Sequence, residues 1–191
     1  MNFPNKLTII RFVLAPIFMV SLLIDFPYHY LVALLIFTIA SITDYYDGKI
    51  AREQNLITDF GKFLDPIADK MLTTAAFLGF TYLKIGYGIV WITFIVLLRE
   101  FVMISVRLAA VDNGKVVAAN MWGKSKTVMQ MVAICVTLFL CFLNEAFNLS
   151  QSVAFVFEIV YSLLLWISAV LTLIAGLTYI VDNKEYINSN K

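Results

Sequence analysis

The sequence predicts an all-α fold: an integral membrane bundle of six transmembrane helices with both termini in the cytoplasm. Three observations predict it. Of the 191 residues, 61% are hydrophobic and only 14% are charged, against about 25% charged in an average soluble domain. A chain this short then lacks the polar residues to cover a water-facing exterior. Runs free of Asp, Glu, Lys and Arg, among them 26–43, 127–144 and 159–181, approach the roughly 20 apolar residues that a spanning helix needs. None alternates with period two, as the strands of a membrane barrel would. The composition also excludes a disordered chain, because so much apolar surface cannot stay solvated. A formal net charge of +1 gives no electrostatic reason to expect a nucleic-acid partner. Cys135 and Cys141 are too few for a disulfide framework and read as small buried hydrophobes. Residues 1–191 read as one membrane-embedded domain.

The expected spans, in order, are 6–25, 31–52, 61–82, 86–111, 124–144 and 153–181. The first opens at Pro4-Asn5, a capped helix start. It has no small-x-small cleavage site, and Arg11 stands where the apolar core of a signal peptide would begin, so it reads as a retained span. Asp25-Phe26-Pro27 ends it, Gly86-Tyr87-Gly88 separates the third span from the fourth, and Asn144 to Ser152 separates the fifth from the sixth. The sixth exceeds one perpendicular crossing, an excess taken up by tilt or by emergence from the membrane. Orientation follows from the cations. Lys6, Arg11, Lys49, Arg52, Lys62, Lys70, Arg107, Lys115, Lys124, Lys126, Lys184 and Lys191 fall on one side, 12 of 14. That side is the cytoplasm under the positive-inside rule. His29, with Tyr28 and Tyr30 beside it and no second ligand near in sequence, reads as interfacial.

Residues 44–70 do not belong in a bilayer. Six of the 13 acids lie there, at the cytoplasmic ends of the second and third spans. Asp44 and Asp47 are three apart and Asp65 and Asp69 four apart, spacings that put each pair on one helix face. Taken singly they have ordinary readings: Asp65-Pro66 as an N-cap with proline in the first turn, Asp44 and Asp47 as interfacial charges. Together, two same-face pairs on neighbouring spans would bring four carboxylates to one volume, where like charges repel. One or two divalent cations remove that conflict, and oxygen-only ligands favour Mg²⁺, Mn²⁺ or Ca²⁺ over zinc. Gly48 and Ala51 lie on the Asp44 face and are small. A glycine inside a helix costs about 1 kcal/mol relative to alanine, which makes sense where something bulky approaches the backbone.

This segment resembles the CDP-alcohol phosphotransferase signature, Asp-x2-Asp-Gly-x2-Ala-Arg, eight residues, then Gly-x3-Asp-x3-Asp. Every fixed position is present, as Asp44, Asp47, Gly48, Ala51, Arg52, Gly61, Asp65 and Asp69. The resemblance implies a membrane enzyme that moves a phosphatidyl group from a CDP-linked lipid to an alcohol and releases CMP. It implies Asp44, Asp47 and Asp65 as metal ligands, and Asp69 as the base that takes the acceptor hydroxyl's proton while touching a second metal. It implies a divalent cation, Mg²⁺ or Mn²⁺, two per site. Gly48 would leave room for the nucleotide and Arg52 would pair with its phosphate. Asn5, Thr8 and Thr58 match positions that contact CDP-diacylglycerol. A homodimer in the bacterial cytoplasmic membrane, its active site facing the cytoplasm, is likewise implied.

The acceptor is read from other residues. Arg99 and Arg107 are eight apart on the fourth span, roughly 80° around a helix, so they are able to face one cavity. An arginine within a span is costly and by default functional, with Glu100 and Glu158 as the acids on hand for a purely structural pairing. Arg107, Lys124 and Lys126 would together bind an anionic acceptor, although a plain positive-inside loop would look much the same. Arg99-Glu100-Phe101, Arg107 and Gly123-Lys124-x-Lys126-Thr127-x2-Gln130 resemble the branch of the family whose acceptor is glycerol 3-phosphate. Inositol phosphate, serine or phosphatidylglycerol would use the same aspartate chemistry. A divalent-cation transporter is the rival class, and Arg52 argues against it, because a fixed cation beside the cluster would repel a permeant ion.

Overall fold

The computed structural model describes residues 3–53, 59–112 and 121–182, with side chains described at 9–43, 67, 70–106, 122–123 and 125–182. Among the described residues there are six helices and no strand: α1 (Phe3–Leu23), α2 (His29–Glu53), α3 (Asp59–Leu83), α4 (Ile89–Asp112), α5 (Met121–Phe147) and α6 (Gln151–Asp182). Ile89–Val106 in α4, Ser125–Phe147 in α5 and all 32 residues of α6 are long and apolar enough to cross a membrane. Ile9–Leu23 and His29–Thr43 are shorter apolar stretches of α1 and α2. At 1.5 Å per residue α6 is about 48 Å long, well beyond the roughly 30 Å of a hydrocarbon core.

Backbone chemistry explains where the helices differ from the sequence expectation. The fourth helix begins at Ile89 rather than 86 because Gly86 and Gly88 take φ of +98° and +68°, values that end a right-handed helix. Helix α6 pins that turn: the Tyr87 N–H donates to Ser162 Oγ (3.0 Å), and Trp166 Nε1–H donates to the Tyr87 carbonyl (2.9 Å). The fifth helix continues past Asn144 to Phe147, and the charge this carries inward is used. Glu145 Oε1 accepts the N–H of Tyr28 at 2.7 Å, where a φ of +63° turns the chain into α2. His29 is therefore not without an acidic neighbour: its Nδ1 lies 3.5 Å from the same oxygen, and its ring lies in tilted contact with Tyr30, centroids 3.9 Å apart.

Helix α1 packs against both α2 and α3, α6 packs against both α4 and α5, and contacts of α2 with α5 and α3 with α4 join the two groups. Buried Ala15, Ala33, Ala40, Ala76, Ala133 and Ala169 let backbones approach, the usual device where no hydrophobic force drives helices together. Phe18, Phe37, Phe77 and Phe80 fill the space between, with Phe18 and Phe37 in tilted contact at 5.7 Å across α1 and α2. The outside is as apolar as the inside. Phe94, Phe101, Leu163 and Leu177 are each more than half exposed, an exterior that suits lipid and not water.

Candidate active site

The acidic motif is divided between two consecutive helices. Asp44, Asp47, Gly48 and Arg52 lie in the last part of α2, and Asp65 and Asp69 lie in the first part of α3. Asp47 stands six residues before the end of α2 and Asp65 six residues after the start of α3, while Asp44 and Asp69 stand nine and ten residues from those ends. With a rise of 1.5 Å per residue, one acid of each helix lies about 9 Å from the connected ends and the other about 14–15 Å. Each of the two helices thus carries one acid of the motif nearer to, and one farther from, the end at which they are connected. The side chains of these acids lie outside the described residues. So do those of Asn5 and Thr8 in the first turns of α1, Arg107 late in α4 and Lys124 early in α5, while Thr58 lies outside them altogether. Among the described residues no three His, Cys, Asp or Glu side chains come together.

Two of the expected acceptor residues are described, and the fold brings both to one carboxylate. Glu100 Oε1 accepts from Arg99 Nη1 at 3.1 Å and is also paired with Lys126 Nζ. Its other oxygen, Oε2, takes Lys70 Nζ at 2.6 Å. Side-chain exposures run from 7% at Lys126 to 25% at Lys70, so water screens the group poorly. Among the described residues, three cations face one anion here, an excess of two positive charges. An excess of that kind in a low-dielectric setting calls for an anion.

The neighbouring helices shape this cluster. A Cβ on Gly176 of α6 would stand 3.1 Å from Arg99 Cγ, so the absent side chain is what makes room for the arginine stem. One turn back on α6, Thr172 Oγ1 accepts from Gln130 Nε2 at 3.2 Å, and both residues are buried. Residues of α3, α4, α5 and α6 thus meet around Glu100. Of the two acids considered as structural partners for Arg99, Glu100 is the one that pairs. Glu158 instead neighbours Tyr87 and Tyr161, and it precedes Gly176 by 18 residues, about 27 Å along the helix. Arg11 is buried at 2% exposure and does not reach out to solvent as a snorkelling anchor would.

Sequence reasoning missed Glu100 as the hub, and it missed Lys70 and Gly176 entirely. One signal was available for the first: an acid directly after the apolar run 85–98 is as costly in a span as the arginine before it. Nothing local in the sequence shows that Lys70, Glu100 and Lys126 meet.

The profile of the family described as CDP-alcohol phosphatidyltransferase matches residues 1–181. The chain is 37% identical to the CDP-diacylglycerol–glycerol-3-phosphate 3-phosphatidyltransferase of Bacillus subtilis, covering 99% of this chain and 98% of that protein. It is 36% identical to the protein of the same name from Rickettsia bellii, over 97% of each chain. A third of that name, from Salmonella paratyphi A, is 40% identical over 70% of this chain and 74% of its own length.

Proposed function

The chain belongs to the CDP-alcohol phosphatidyltransferase family, and from that premise we propose that it transfers a phosphatidyl group from CDP-diacylglycerol to glycerol 3-phosphate, forming phosphatidylglycerol phosphate and CMP in phospholipid biosynthesis. Relatives named for this activity over nearly the full chain support the reaction. The observation that carries the acceptor is the poorly solvated Lys70–Arg99–Lys126 cluster, with an excess of positive charge among the described residues, whose Lys70 directly follows Asp69 in the chain. A phosphate monoester brings about −1.5 to −2 near pH 7, which balances that excess. Serine carries no such charge.

The family is generally divalent-metal dependent. The donor set fits: four aspartates on two successive helices, near their connected ends, offer oxygen ligands only, as hard cations such as Mg²⁺ or Mn²⁺ require. Asp44, Asp47 and Asp65 would hold the metal, with Asp69 touching a second ion. When bound, the cations supply neutralisation of charge on the non-bridging oxygens of the diphosphate.

The remaining work falls to the chain's own residues. Asn5, Thr8 and Thr58 contact CDP-diacylglycerol, Gly48 leaves its nucleotide room, and Arg52 pairs with its phosphate. Arg99, Arg107, Lys124 and Lys126 hold the phosphate of glycerol 3-phosphate. Asp69 accepts the proton of the acceptor hydroxyl as that oxygen attacks the phosphatidyl phosphorus. The new phosphorus–oxygen bond forms as the bond to CMP breaks, and CMP leaves with the electron pair. The working unit is a homodimer of single-domain chains in the bacterial cytoplasmic membrane, with both termini and the site on the cytoplasmic side.

Purified protein incubated with CDP-diacylglycerol and each candidate acceptor, with CMP release followed, tests the proposal. We expect release to depend on glycerol 3-phosphate and on Mg²⁺ or Mn²⁺, to stop with EDTA, and to vanish in Asp69→Asn. Release with serine or inositol phosphate but not with glycerol 3-phosphate would overturn the acceptor assignment. Full activity of Asp69→Asn would overturn the role of the base.

A further inference from the structure

Glu100 stands out because the reaction has no direct use for it. It is an acid among cations proposed to hold an anion, and by charge alone it would weaken their hold on a phosphate. Yet it pairs with all three described cations, which come from α3 and α5 and from its own helix. Its two oxygens are divided between them, Oε2 to Lys70 and Oε1 to Arg99 and Lys126.

We propose that Glu100 is a positioning residue for the acceptor site: its carboxylate holds Lys70 and Lys126 on facing helices beside Arg99, so that the cations stand ready at fixed places before glycerol 3-phosphate arrives. The proposal rests on the acceptor reading above and adds two residues to it. Three like charges with side chains only 7 to 25% exposed repel one another strongly where water is scarce. One shared carboxylate offsets most of that repulsion while leaving charge for the substrate. Lys70 follows Asp69 directly in the chain, so its pairing also ties the helix of the candidate base to the helices that hold the acceptor's phosphate. Preorganisation of this kind lowers the cost of binding and of alignment together.

Three variants, assayed by CMP release in detergent with each substrate varied in turn, test it: Glu100→Gln, Lys70→Gln and Lys126→Met. Binding of glycerol 3-phosphate is read separately, as its protection of each variant against thermal unfolding. Glu100→Gln is expected to raise the KM for glycerol 3-phosphate about tenfold or more, to leave the KM for CDP-diacylglycerol within about twofold, and to lose the protection. Glu100→Asp should recover part of both. Lys70→Gln, which keeps the rest of the cluster, should shift the same KM in the same direction by less, and it decides the matter if Glu100→Gln does not fold. Equal rises in both KM values would overturn the proposal, since a merely structural role predicts that. So would an unaltered KM for glycerol 3-phosphate in folded Glu100→Gln or Lys70→Gln while Lys126→Met raises it. An unaltered value in Lys126→Met would instead remove the acceptor reading on which the proposal stands.

Discussion

Gly176 and Arg99 form a matched pair across α6 and α4, and the match is steric. Arg99 is only 11% exposed, and its Cγ lies 3.1 Å from the place of a Cβ on residue 176. Gly176→Ala asks the arginine stem to give by a few tenths of an ångström. Gly176→Val asks for more than the stem can yield and should cost about 1–3 kcal/mol, the usual penalty of overpacking, read as a lower midpoint of thermal unfolding. A larger effect on the KM for glycerol 3-phosphate than on that for CDP-diacylglycerol should accompany it, because the displaced group is Arg99. At this scale the sequence was informative wherever chemistry is written in local spacing. The pairs Asp44/Asp47 and Asp65/Asp69 can be read without coordinates, because three- and four-residue spacings on a helix already imply shared faces, while Arg52 and Gly61 stand out only by resemblance to the family signature. Arg99 was legible as a charge out of place in an apolar run, and Lys126 as one of a group of cations, with Arg107 and Lys124, able to bind an anion. Lys70 and Glu100 were not, since what they do depends on a meeting of residues 70, 100 and 126 that only tertiary packing creates.

Helix existence was legible throughout and helix ends less so. Six expected spans met six helices among the described residues, because backbone groups in apolar surroundings demand internal hydrogen bonding. Among those residues only α4, α5 and α6 are long and apolar enough to cross a membrane. The ends shifted where single backbone conformations or distant partners intervene, at Gly86 and Gly88 before α4 and at Glu145 late in α5. The α3–α4 turn therefore makes its own prediction. Gly88 has φ of +68°, and a Cβ there would stand 3.1 Å from Trp166 Cζ2. Gly88→Ala combines the left-handed penalty of about 1–2 kcal/mol with displacement of the indole whose N–H holds the Tyr87 carbonyl. Thermal stability should fall by at least about 1 kcal/mol. The KM values should stay put, because this turn precedes α4 while Arg99 and Glu100 lie ten or more residues along it. The α5–α6 contact is different in kind. Thr172 donates to the Ser168 carbonyl at 2.7 Å while accepting from Gln130. Thr172→Val should cost about 0.6 kcal/mol, the measured average for such bonds between membrane helices, and double substitution with Gln130→Leu should cost less than the two single changes added together.

The arrangement of the whole molecule bears on which side of the membrane the chemistry occupies. The sequence reading assigns twelve of the 14 lysines and arginines to one side of the spans, and the segments that carry them include the end of α2 and the start of α3, where the aspartates stand. The opposite end holds the turn between α3 and α4, with Lys84 as its one cation, and the turn between α5 and α6 at Asn148. If both termini face the cytoplasm, alkaline phosphatase fused within either of those turns must be exported and active, while fusions at residue 191 or within 54–58 must be inactive. A fluorescent protein that folds only in the cytosol should give the reverse pattern at all four points. The result matters for the reaction because glycerol 3-phosphate and the departing CMP are too polar to cross a bilayer unaided. A site on the cytoplasmic side would take up the acceptor and release the nucleotide in one compartment, with neither crossing the bilayer. Phosphatase activity at 54–58 would place the aspartates on the far side, and the proposed reaction would then lack its acceptor.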